Sequence, residues 1–278
     1  MLELIAALAL CADLSAEAKG RVGAAAEILE NKKIVLSLNH RKHLPMQSVY
    51  KLPIGMAALA VVDRGTLKFD QRVHVEKSEY VSAGQHSPLR DAHPEGADVT
   101  LRELLDLAVS ESDGSASDVL LRLIGGPSAV MGFLASIGVR DVMVLDSEQS
   151  LGRDWMVQYR NWATPDGAVA MLRALHESRG LSAASHDFLM KLLIETKTFP
   201  SRIKGSLPAG TAVAHKTGSS GTRNGVAAAT NDIGIVTLPD GRHLAIAIFV
   251  SDSRADADTR DRVIAKIART AWDTALKN

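Results

Sequence analysis

A chain of 278 residues with 46% hydrophobic and 23% charged side chains can bury one large core or two, which excludes disordered and fibrous classes. Its 32 basic and 32 acidic residues cancel without any long single-sign run, arguing against nucleic acid or an anionic membrane as partner. Cys11 is the one cysteine, so neither an internal disulfide nor a cysteine-rich metal site can form, and no apolar stretch nears the ~20 residues that span a bilayer.

Residues 2–11 are apolar, but Glu3 stands where a secretory signal carries basic residues, and Leu10 before Cys11 suits lipid attachment poorly. Residues 1–19 are therefore expected as the first helix, with no signal peptide visible. Strand-like segments at 22–26 and 34–38 join through a hairpin turn at Glu30-Asn31-Lys32-Lys33. His40 and His43 lie three apart in a polar turn and read as a surface pair; no His-Glu-x-x-His spacing occurs. Leu44-Pro45 breaks the chain before Gln47-Ser48-Val49-Tyr50-Lys51 and an apolar run over 52–62, a helix with Pro53 in its first turn. From 64 to 100, Gly65, Gly84, Pro88, Pro94 and Gly96 leave loops and short elements.

Thr100-Leu101-Arg102-Glu103 is a capping box that opens a helix. Helices over 117–124 and 128–137 follow, separated by Gly125-Gly126-Pro127. Residues 141–159 lack periodicity, and loops of that length in compact domains are usually functional or disordered. Thr164-Pro165 caps the next helix, and another covers 182–196. Strands are expected at 212–216, 231–238 and 243–250, the last two joined by Pro239-Asp240-Gly241, and an amphipathic helix over 258–276 closes the chain. This order predicts a two-lobed α/β fold. Residues 1–45 and 200–278 would form an antiparallel sheet flanked by terminal helices, and 46–199 an all-helical lobe, with a ligand site in the cleft between.

The chemistry centres on Ser48 and Lys51, three residues apart on one helical face. A serine hydroxyl needs a base to take its proton before it attacks a carbonyl, and a helix N-terminus offers N–H groups to a developing oxyanion. Alone, such a pair reads more simply as a cap beside a surface lysine. Three further clusters change that: Ser112-Asp113-Gly114 between two helices, Lys216-Thr217-Gly218-Ser219 at a strand end, and Glu148 in the irregular loop. The order Ser-x-x-Lys, Ser-Asp-x, Lys-Thr-Gly resembles the serine penicillin-recognising enzymes over nearly the whole chain. Glu148-Gln149-Ser150-Leu151 ahead of Thr164-Pro165 looks like the Ω-loop of class A β-lactamases. Segments 45–48, 109–113, 158–162 and 230–234 are similar to the PER-type extended-spectrum subgroup.

That resemblance implies a β-lactam hydrolase of β-lactamase/transpeptidase-like fold. Ser48 would form an acyl-enzyme, with the backbone N–H groups of Ser48 and Ser219 as oxyanion hole. Lys51 and Glu148 would share proton transfer, and Glu148 would hold the water that releases the product. Ser112 would protonate the leaving nitrogen beside Lys216, and Thr217, Gly218 and Ser219 would receive the substrate carboxylate. No cofactor or metal is needed. A monomer is expected, periplasmic or secreted, with a small β-lactam as partner and neither nucleic acid nor membrane.

The chain also departs from the commoner pattern. Gly114 and Gly152 stand where asparagines usually contact the substrate's acylamide and the deacylating water. Asp146 and Asn161 replace an ion pair across the loop neck, so the Ω-loop must close by another route. Arg202 matches an alternative position for a carboxylate-binding arginine, Arg223 is its rival, Asn224 falls near the usual place, and His86 sits near an aromatic gate position. A D,D-peptidase of the same fold should lack Glu148. A non-hydrolysing β-lactam sensor usually carries a membrane segment, and a serine esterase would not need Lys216-Thr217-Gly218.

Overall fold

The computed structural model describes residues 14–278. Five strands build the main sheet: β1 (Arg21–Ile28), β2 (Lys33–Leu38), β3 (Val213–Ser219), β4 (Val226–Thr237) and β5 (His243–Ser253). They run antiparallel in the order β2-β1-β5-β4-β3, with the short strand Thr222–Arg223 added to β4. Seven longer helices accompany them: α1 (Lys51–Asp63), α2 (Leu101–Val109), α3 (Gly114–Ile124), α4 (Pro127–Ser136), α5 (Pro165–His176), α6 (Ala183–Glu195) and α7 (Ala257–Leu276).

The sheet sorts its side chains by the two-residue period of a strand. Val22, Ala24, Ala26 and Ile28 of β1, with Leu244, Ile246, Ile248 and Val250 of β5, pack with Ile264, Ile267 and Trp272 of α7. The alternate residues Ala25, Ala245, Ala247 and Phe249 join a second core with Val169 and Leu172 of α5 and Leu52, Ile54, Met56 and Leu59 of α1. Both faces are thus covered, which is why the strands read as almost unbroken apolar runs. Helix α1 is buried from Lys51 to Ala60, as a helix apolar all round must be.

The α/β class and the antiparallel sheet agree with the sequence expectation, while several boundaries differ. Strands β3 to β5 run past their expected bounds, with Thr217, Thr230 and Ser251 as buried polar residues in the extensions. Helix α3 starts at Gly114, three residues early, because the Asp113 carboxylate accepts from Ala116 N at 2.8 Å and caps it. The middle of the chain is not purely helical. Arg72–Val75 pairs with Ala97–Thr100, and Leu44–Pro45, Trp162–Ala163 and Val142–Met143 form a small three-stranded sheet. Of the helix expected over 1–19, residues 14–17 are helical and 1–13 lie outside the described residues.

Candidate active site

Ser48 sits in a single 3-10 turn, Gln47–Tyr50, that runs directly into α1. Its approach is clamped from two sides. Asn231 Nδ2 on β4 donates to Pro45 O (2.8 Å) and Met46 O (3.0 Å), and Met46 N donates to Asn161 O (2.9 Å). The buried Gln47 amide donates to Gln158 Oε1 at 2.5 Å. On the far side β3 passes so close that a Cβ on Gly218 would lie 2.4 Å from Met46 O and 3.2 Å from Ser48 N. Only glycine lets the strand edge lie against the serine turn.

Lys51, buried at the start of α1, donates to Ser112 O at 2.7 Å and lies 3.4 Å from Glu148 Oε2. Tyr50 OH donates to the same carboxylate oxygen at 2.7 Å, and burial beside Glu148 pushes its phenol well above its usual range, so it stays a donor. From β3, the fully buried Lys216 Nζ donates to Ser112 Oγ at 2.9 Å. Burial, with Lys51 adding repulsion, drives Lys216 well below the usual lysine range, which eases proton release toward Ser112. Ser112 itself has φ of 64°, a backbone strain often found where a reactive group is presented. Asp113 fixes that corner by accepting from Leu89 N (2.6 Å), Ser87 Oγ (2.9 Å) and Ala116 N (2.8 Å).

The segment carrying Glu148 is a one-turn helix, Glu148–Leu151, capped by Ser147. It is held from below by Asp118 on α3, whose carboxylate accepts from Glu148 N (2.6 Å) and Gln149 N (2.8 Å). Burial raises Asp118 to about 6, outweighing the two N–H groups that favour its charge. Because this folded value lies above the unfolded one, Asp118's contribution to stability is full in acid and falls as pH rises through about 6. Asp118→Ala should leave two N–H groups without an acceptor and cost about 1–3 kcal/mol. Urea denaturation between pH 4 and 7 should show that deficit shrinking as pH rises; a deficit that grows would contradict the assignment.

Between positions 146 and 161 the neck of the loop closes through hydrogen bonds in place of the usual ion pair. Asn161 Oδ1 accepts from Leu145 N (2.7 Å) and Asp146 N (3.0 Å), while its Nδ2 donates to Asp146 O (2.9 Å). An ion pair exists one residue over, Arg160 Nε to Asp146 Oδ2 at 3.1 Å. Both glycine departures also acquire a physical reason. A Cβ on Gly114 would meet Glu148 Cγ at 2.7 Å, and one on Gly152 would meet Gln85 Oε1 at 2.3 Å. The Gln85 amide fills the space a side chain at 152 would need and donates to Glu148 O.

Ser48, Lys51, Ser112, Glu148, Thr217, Gly218, Ser219 and His86 all border one cavity of about 800 Å³. His86 is held there by Glu111 O, 2.9 Å from its Nε2. Two expectations of direct substrate contact change. Gly114 lies beneath Glu148, off the cavity wall, with its N–H donating to His86 O at 2.9 Å. Arg202 lies behind β3, its guanidinium committed to Asp261 (2.8 Å), Gly218 O (3.1 Å) and Asn231 O (2.9 Å). It reaches the cavity only through Ser219, donating to Oγ at 2.7 Å, whereas the exposed Arg223 borders the cavity itself. Sequence reasoning missed Asp118, Gln85, Tyr50 and Asn231. For Asp118 the available signal was a carboxylate one turn after the Ser-Asp-Gly corner; the other three carried none.

Residues 6–275 match the model of a family described as the beta-lactamase enzyme family. The extended-spectrum beta-lactamase PER-1 of Pseudomonas aeruginosa is 42% identical over 243 residues, 87% of this chain and 79% of that protein. Beta-lactamase VEB-1 of Pseudomonas aeruginosa is 40% identical over 248 residues, 88% of this chain and 83% of that protein. The crystal structure of a beta-lactamase from Chitinophaga pinensis superposes with a TM-score of 0.93 at 44% identity, covering 97% of this chain and 99% of that one.

Proposed function

The chain belongs to the beta-lactamase enzyme family and hydrolyses β-lactams as a class A serine enzyme, and from that premise we propose how its residues divide the work. Ser48 Oγ attacks the lactam carbonyl while Lys51 and Glu148 take its proton between them. The oxyanion forms against the N–H groups of Ser48 and Ser219. As the C–N bond breaks, Ser112 passes its proton to the leaving nitrogen and is resupplied from Lys216, which donates to it at 2.9 Å. Glu148 then takes a proton from a water that attacks the ester carbonyl, and Ser48 leaves as the free hydroxyl. The substrate carboxylate lies against Thr217 and Ser219, with Arg202 orienting the Ser219 hydroxyl from behind at 2.7 Å.

The observation that carries this division is the Glu148 carboxylate 3.4 Å from Lys51, in the same cavity as Ser48. A D,D-peptidase or a β-lactam sensor of this fold has no need of a carboxylate placed to activate water. The reading takes 46–199 as one lobe and the remainder as the other, with the cavity between them. It includes a monomer without membrane or nucleic-acid partner, located in the periplasm or secreted.

PER-1 is named an extended-spectrum enzyme, and here the Ω-loop neck closes through Asn161 and Arg160. We therefore expect bulky oxyimino-cephalosporins to be hydrolysed, a property that would give a bacterial host resistance. Steady-state kinetics on an oxyimino-cephalosporin, a simple cephalosporin and a penicillin checks this. A cephalosporin-to-penicillin kcat/KM ratio far below one, with no oxyimino turnover, would remove the idea.

A further inference from the structure

Away from the cavity, three side chains distant in sequence converge at the end of the sheet. Glu30 lies in the β1–β2 turn, His243 is the first residue of β5 and His176 the last of α5. His243 Nδ1 is 2.8 Å from Glu30 Oε1, and His176 Nε2 is 4.0 Å from the same oxygen. One ligand-capable atom from each residue lies within 4.8 Å of those of the other two. The two imidazoles face each other with ring centroids 4.7 Å apart. None of the three borders the catalytic cavity.

We propose that Glu30, His176 and His243 form a surface binding site for a divalent transition-metal ion of the zinc type. Imidazole nitrogens and a carboxylate oxygen sit about 2.0–2.1 Å from zinc, which puts two tetrahedral ligand atoms roughly 3.3 Å apart. The separations of 2.8 and 4.0 Å straddle that value, so small side-chain rotations bring all three atoms to one ion. The carboxylate is already oriented, because the His243 backbone N–H donates to both of its oxygens at 3.0 Å. Leu29 N donates to His243 O at 2.9 Å and locks the turn to the strand. All three side chains are partly exposed, at 28% for His176, 33% for His243 and 37% for Glu30. Solvent can therefore reach the ion and complete its coordination. Zinc entering here displaces the proton shared by Glu30 and His243 and ties α5 to the β1–β2 turn and β5. The ion has a structural role: it holds the helix against the sheet and takes no part in β-lactam hydrolysis.

The test uses EDTA-stripped protein titrated with zinc chloride by calorimetry, with thermal melting alongside. One equivalent should bind with saturation and raise the melting temperature of the wild type. His176→Gln and Glu30→Gln should each weaken binding by about tenfold or more and abolish the melting shift. Both variants should hydrolyse a chromogenic cephalosporin at the wild-type rate, which certifies the fold. His74→Gln, at the exposed His74-Asp98 pair, should bind zinc as the wild type does. Unsaturable binding, unchanged affinity in both His176→Gln and Glu30→Gln, or a loss confined to His74→Gln would overturn the proposal.

Discussion

Replacing Ser48 by alanine should abolish turnover while leaving the melting temperature where it is. The clamps that hold this corner act on its neighbours: Asn231 grips Pro45 and Met46, and Gln158 grips Gln47. The Ser48 side chain is only half-buried, so losing one oxygen opens no large void in the core. What disappears is the bond-forming atom. Removing the nucleophile of a serine hydrolase costs on the order of 10⁶-fold in kcat, because the remaining groups act only as a unit with it. Intact mass after incubation with substrate should show no covalent adduct. An adduct on Ser48→Ala, or steady turnover near the wild-type rate, would mean that another residue attacks.

Gly114→Asn should slow turnover by about a hundredfold, although it restores the residue commoner in enzymes of this kind. The first atom of the new side chain would lie 2.7 Å from Glu148 Cγ and 3.2 Å from His86 O. Real Cβ atoms essentially never approach within 3.0 Å, so the Glu148 side chain or its one-turn helix must move. Displacing a water-activating carboxylate by about 1 Å costs roughly a hundredfold in rate. Release of the acyl-enzyme should slow more than its formation, so rapid mixing should show a burst followed by a slow steady phase. A variant that keeps the wild-type steady rate without a burst would show that Glu148 is not tied to this contact.

The residues proposed to carry the chemistry were legible in the sequence as candidates. Ser48, Lys51, Ser112, Lys216 and Glu148 each sit in a short local pattern whose order along the chain has meaning. The structure brings Ser48, Lys51, Ser112 and Glu148 to the wall of one cavity, with Lys216 behind Ser112. What holds them was much less visible. Asp118 supports Glu148 across 30 residues, Asn231 reaches back 186 residues to Pro45, and Arg202 acts on Ser219 from 17 residues away. No periodicity or spacing encodes such pairs; they exist only once the sheet has set its register. The strand ends were hidden for a related reason, since Thr217, Thr230 and Ser251 are polar residues that lie buried where β3, β4 and β5 run beyond the expected bounds. Asn161 shows the same limit. Its sequence position revealed the absence of the usual ion pair, whereas the three hydrogen bonds that replace it depend on the folded loop.

The central claim is that Glu148 drives release of the acyl-enzyme. A time course with a chromogenic cephalosporin, paired with intact mass, compares wild type with Glu148→Ala. The wild type should turn over steadily, and the variant should give a stoichiometric burst with the acyl mass trapped on Ser48. A burst that stops after one equivalent in both proteins would contradict the account and make this chain a β-lactam-binding protein.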